Sequence, residues 1–80
     1  MAKGPHSSRI DSEFARNLRA ERARAGLTQG QLAKRSNLTQ RAISLLELGE
    51  HEPRLSTIRS LTQALSIPID RLIGSELIAA

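Results

Sequence analysis

The side chains in this 80-residue sequence that could do chemistry are hydrogen-bond and ion-pair formers, not nucleophiles or metal ligands. Cysteine is absent, which removes disulfides and thiolate zinc sites. His6 and His51 stand far apart with no carboxylate cluster beside either, and no nucleophile–base pair or phosphate-cradling glycine loop occurs. No enzyme activity, metal or cofactor is therefore expected. What remains is a set of amides, hydroxyls and guanidinium groups with a conspicuous arrangement. The tripeptide Leu-Thr-Gln stands at residues 27–29, 38–40 and 61–63, and Arg41 follows the second copy directly.

Charge narrows the chemistry further. Residues 1–41 hold nine Lys and Arg against three Asp and Glu, whereas residues 42–80 hold three against five, within an overall net charge of +4. One half is basic, as a phosphate-binding surface requires; a solvated basic face is the plainer alternative. No apolar run approaches the roughly 20 residues needed to cross a bilayer, and the start lacks the apolar stretch of a signal peptide. A soluble cytoplasmic protein is expected. Residues 1–11 mix Gly, Pro, His and Ser without periodicity and read as a flexible arm, leaving 12–80 as one small domain.

The elements that must hold these groups are helices. Apolar residues recur at spacings of three and four, and period-two alternation is missing. A first helix is expected from an N-cap at Asp11 or Ser12 to Ala25, with Phe14 and Leu18 inward and Gly26 ending it. A second runs from Thr28 to about Arg35 over Leu32 and Ala33. Asn37 suits a left-handed turn residue. A third helix follows from Thr39 to about Leu48, with Ile43 and Leu46 inward and Gly49 closing it. After the polar loop 49–54, a fourth helix is expected over about 56–65, burying Ile58, Leu61 and Leu65. Pro68 and Asp70 favour a short fifth helix over 69–73, with Ile69 and Leu72 inward. In the first two copies of Leu-Thr-Gln the threonine can cap a helix and the glutamine is its first residue. The third copy lies inside the fourth helix, where Thr62 caps nothing.

Two short helices joined by a tight turn form a helix-turn-helix unit, whose second helix enters the DNA major groove. The stretch GLTQGQLAKRSNLTQRAISLLELGE resembles the Cro/repressor-type (XRE-like) helix-turn-helix family, and the likeness extends from about Phe14 to Ile73. It implies an all-α, five-helix, lambda-repressor-like DNA-binding domain.

The resemblance also implies roles. Gln40 and Arg41 occupy positions that meet base edges, and the chemistry agrees: Gln pairs bidentately with adenine and Arg with guanine, each worth about 1–3 kcal/mol of discrimination. Ser44 and Leu45, one turn on, can reach bases or phosphate. Leu45 replaces a residue that is often polar; it meets a thymine methyl, stands exposed, or belongs to a protein interface. Gln29 resembles the family's phosphate-gripping glutamine, with Thr28 and Thr39 at the helix starts and Arg54 beyond the third helix as further phosphate contacts. Arg22 and Glu47 match a structural ion pair joining the first and third helices. Gly30 weakens its helix by roughly 0.5–1 kcal/mol relative to Ala, for which close approach to DNA is one explanation and chance another. Glu50 and Glu52 depart from the family's basic or amide residues and would repel phosphate.

One helix-turn-helix reads few base pairs, so a homodimer on a palindromic operator is expected. Ile73, Leu77 and Ile78 are the candidate interface, with a frayed tail as the alternative. The leading function is a dimeric repressor or controller of transcription, which the resemblance implies to be bacterial or phage-encoded and nucleoid-associated when bound. The rival is an antitoxin-type or adaptor protein that holds a partner such as a toxin, for which Leu45, Glu50 and Glu52 speak. The motif does not choose among phage repressor, restriction-modification controller and antitoxin.

Overall fold

Five helices occupy residues 9–74, the part of the chain that the computed structural model describes: α1 (Arg9–Arg24), α2 (Gln29–Ser36), α3 (Gln40–Glu47), α4 (Leu55–Leu65) and α5 (Asp70–Ile73). α1 packs on α5 and α3, and α2 packs on α3 and α4. Every helix contributes to one core of Phe14, Leu18, Leu32, Ala33, Ile43, Leu46, Ile58, Leu61 and Leu72. Burying one such Leu or Phe side chain contributes roughly 1.5–3 kcal/mol. No helix among the described residues is long and apolar enough to cross a membrane.

The way the chain turns explains why Leu-Thr-Gln recurs. Four helices end in the same double hydrogen bond, in which a left-handed residue and its successor reach back to the last turn. After α1, Gly26 N–H donates to Ala23 O at 3.0 Å and Leu27 N–H to Arg22 O at 3.1 Å. After α2, Asn37 and Leu38 donate to Lys34 O and Ala33 O; after α3, Gly49 and Glu50 donate to Leu46 O and Leu45 O; after α4, Ser66 and Ile67 donate to Gln63 O and Thr62 O. The left-handed residues are Gly26, Asn37, Gly49 and Ser66, with φ of 72°, 62°, 75° and 56°. Leu27, Leu38 and Ile67 then fold against the core. In the first two copies the leucine therefore closes one helix, the threonine caps the next and the glutamine begins it. In the third, Leu61 is core and the Thr62 hydroxyl donates back to Arg59 O at 2.9 Å inside α4.

Two expectations need correction. α1 begins at Arg9, so residues 9–11 belong to a helix and not to an arm, and Asp11 and Ser12 lie in its first turn instead of capping it. Neither Gly nor Pro interrupts 9–24, and without a breaker the helix propagates past a potential cap. Ile69, expected inward, is 39% exposed. α5 is a single turn whose contact with α1 seats Leu72 fully, and Ile69 remains at its lip. Ile73, a candidate interface residue, is half-buried against its own core and keeps part of its surface exposed. Leu77 and Ile78 lie outside the described residues.

Candidate nucleic-acid interface

The surface formed by the first turns of α2 and α3 is built from their caps. Thr28 Oγ1 accepts from Gln31 N–H at 3.0 Å while Gln31 Oε1 accepts from Thr28 N–H at 2.9 Å, a reciprocal capping box. Thr39 Oγ1 accepts from Ala42 N–H at 3.0 Å at the start of α3. Both threonine hydroxyls are thus engaged as acceptors, which leaves each hydroxyl hydrogen free to donate outward.

α3 divides into two faces. Ile43, Leu46 and Glu47 are buried at helical spacing. Gln40 and Arg41 are exposed in the first turn, and Ser44 and Leu45 follow half-buried one turn later. Arg41 and Leu45, four residues apart, share the face turned away from the core. The four residues expected to read bases are therefore contiguous along one helix.

What fixes the angle of α3 is a buried carboxylate. Glu47, 3% exposed, accepts from Arg22 Nε at 2.5 Å, from Arg22 Nη2 at 3.0 Å and from Gln29 Nε2 at 3.0 Å. Its main-chain oxygen accepts from Arg19 Nη1 at 2.5 Å, and Arg22 Nη1 donates to Leu27 O at 2.9 Å. One group thereby ties α1, the α1–α2 turn, the first residue of α2 and the end of α3. Burial opposes the Glu47 charge more than any other single influence. The hydrogen bonds from Arg22 and Gln29 and the charges of Arg22 and Arg19 together outweigh it, so the carboxyl lies below its ordinary range. The hydrogen bond to Glu47 holds Arg22 above its ordinary value, against partial desolvation.

The expected Arg22–Glu47 pair is thus present, but Gln29 is not a free surface amide: one amide hydrogen is committed to Glu47. Its other hydrogen, its carbonyl oxygen and the N–H groups of the helix start are what it can offer an anion. Arg54, exposed, precedes α4 at the end of a loop in which Glu50, His51 and Glu52 are also exposed. It stands apart from the α2–α3 surface in sequence and shares its loop with two carboxylates, whose charge opposes its own.

Several supporting residues escaped the sequence reading. Gln31 was legible, since Thr followed three residues later by Gln is a capping-box pattern. Arg19 was not, because its partner is a main-chain oxygen 28 residues away. Nor was the bond between α1 and α5, where buried Glu21 accepts from Arg71 Nε at 2.9 Å and Asn17 Nδ2 donates to Leu72 O at 2.8 Å.

The family model described as Helix-turn-helix matches residues 18–72. An uncharacterized HTH-type transcriptional regulator of Sinorhizobium fredii, y4dJ, is 41% identical over 58 residues, covering 72% of this chain and 70% of that protein. The immunity repressor protein of Bacillus phage phi105 is 34% identical over 59 residues, 74% of this chain. The chain spans only 41% of that repressor's length. Among solved structures, the restriction-modification controller protein C.AhdI of Aeromonas hydrophila superposes with a TM-score of 0.73 at 33% identity, covering 75% of this chain and 91% of that one. The turn between two capped helices, the buried carboxylate beneath them and these likenesses converge: the chain belongs to the Cro/repressor-type (XRE-like) helix-turn-helix DNA-binding family.

Proposed function

We propose that this chain is a sequence-specific, double-stranded DNA-binding regulator of transcription, acting as a homodimeric repressor or controller on a palindromic operator. The observation that carries the reading is the exposed first turn of α3, with Gln40 and Arg41 on a helix whose far end is anchored through Glu47 to α1 and α2. A rigid helix presenting an amide and a guanidinium is what bidentate base readout requires. Gln40, Arg41, Ser44 and Leu45 read bases. Thr28, Gln29, Thr39 and Arg54 hold phosphates and set register. The immunity repressor and the restriction-modification controller among its relatives support a repressor or controller role. Dimerisation doubles the few base pairs that one unit reads, with half-sites about one helical turn apart, through a surface that includes Ile73, Leu77 and Ile78.

A second reading, an antitoxin-type or adaptor protein that binds a partner protein, draws on Leu48 and Leu55. They are 67% and 61% exposed and flank the loop that carries Glu50 and Glu52. Selection of bound sequences from random genomic fragments at two salt concentrations separates the readings. An enriched inverted repeat, with affinity falling steeply as salt rises, is expected of the regulator. Recovery of no motif sinks it in favour of the adaptor.

A further inference from the structure

Gly30 is the second residue of α2, and nothing in the fold demands a glycine there. Its backbone is helical; the glycines in the left-handed region are Gly26, Gly49 and Gly74. Glycine inside a helix is unfavourable relative to alanine. A β-carbon at this position would lie 3.4 Å from Gln40 Oε1, 3.9 Å from Gln40 Cδ and 3.9 Å from Thr28 Oγ1, so a methyl group has room there, but only lying directly against the Gln40 carboxamide at the near limit of ordinary contact. Neither conformation nor packing accounts for its absence. The nearest atoms belong to the carboxamide of Gln40, which lies beside the place a β-carbon would take.

We propose that Gly30 is a specificity-positioning residue. The missing side chain leaves a seat at the junction of α2 and α3 in which the Gln40 amide rests, and this seat sets how the amide is presented to a base edge. A methyl group would fill the seat and lie against the amide, biasing Gln40 among its rotamers without a clash that unseats the helix. The effect is therefore confined to the base pair that Gln40 reads. This inference rests on the reading of α3 as the base-contacting helix.

The test is selection of bound sequences with the unmodified protein, Gly30→Ala, Gln40→Ala and the double variant, alongside their thermal midpoints. Gly30→Ala is expected to melt at the same or a higher temperature, because alanine is the better helix former. It is expected to change preference by about threefold or more at the one operator position that Gln40→Ala identifies, leaving other positions as they were. In the Gln40→Ala background it is expected to change nothing further. A uniform loss across all sequences would assign the glycine to backbone approach to DNA, and an unchanged preference would leave it no role; either overturns the proposal. A lowered melting temperature overturns it too, as the mark of a structural glycine. If the unmodified protein selects no motif, the base-reading role of α3 falls first and the role of Gly30 with it.

Discussion

At the scale of single residues, the decisive group is Glu47, a carboxylate that faces inward to hold the helix whose other face we propose reads DNA. Its replacement by alanine leaves Arg22 without its partner and frees Gln29, and a loss of about 3 kcal/mol is expected from breaking a buried ion pair on one side. Urea denaturation measures it. Because the folded carboxyl titrates below the ordinary value, the stability it contributes is fully present above the unfolded pKa of about 4.3 and is lost as pH falls through the lower folded value. Glu47→Gln should therefore flatten part of the acid limb of stability against pH; an unchanged limb would refute the assignment. The residues proposed to contact DNA separate differently. Arg41→Ala is expected to relax preference at one base pair by about 1–3 kcal/mol, whereas Gln29→Ala weakens all sequences alike. Gln29→Ala also removes a hydrogen bond to Glu47, so some loss of melting temperature accompanies it. Binding assays on operator and scrambled duplexes distinguish the two, and the reverse pattern exchanges their roles.

At the scale of elements, four of the five helices stop by one device, and the residue types at the left-handed position grade its cost. Glycine at 26 and 49 adopts it freely and asparagine at 37 tolerates it, but Ser66 carries a β-carbon without asparagine's local compensation. Ser66→Gly is accordingly expected to stabilise the domain by about 1 kcal/mol, read as a rise in thermal midpoint with DNA binding unchanged. Gly26, Asn37 and Gly49 could be assigned from sequence because their types announce the conformation. Ser66 could not, since serine is common in every kind of turn. The start of α1 escaped for a related reason: a capping residue is only a signal, and the helix runs through it where nothing breaks the backbone.

At the scale of the whole molecule, α5 is one turn long and cannot stand alone. It is held by Leu72 in the core, by Arg71 on buried Glu21 and by Asn17 on the Leu72 carbonyl, all against α1. Asn17→Ala should cost about 1 kcal/mol and raise hydrogen exchange selectively in α5. If a homodimer forms through this helix, sedimentation should also find weaker self-association in the variant. Unchanged self-association would move the interface elsewhere, with exposed Leu48 and Leu55 the next surface to substitute.

The sequence by itself determined the all-helical class, nearly every core position, the two caps that frame the turn and the family, because periodicity and capping are local properties carried by neighbouring residues. Gln40 and Arg41 could be marked as candidates for the same reason: their place in a motif is a matter of spacing. Only the tertiary structure decided that Gln29 shares Glu47 with Arg22, that Arg19 holds the carbonyl at the end of α3, that Ile73 leans on its own core and that Gln40 rests over Gly30. Each of these joins residues on different elements, and the angle at which two helices cross is set by the packing between them, which no local pattern encodes.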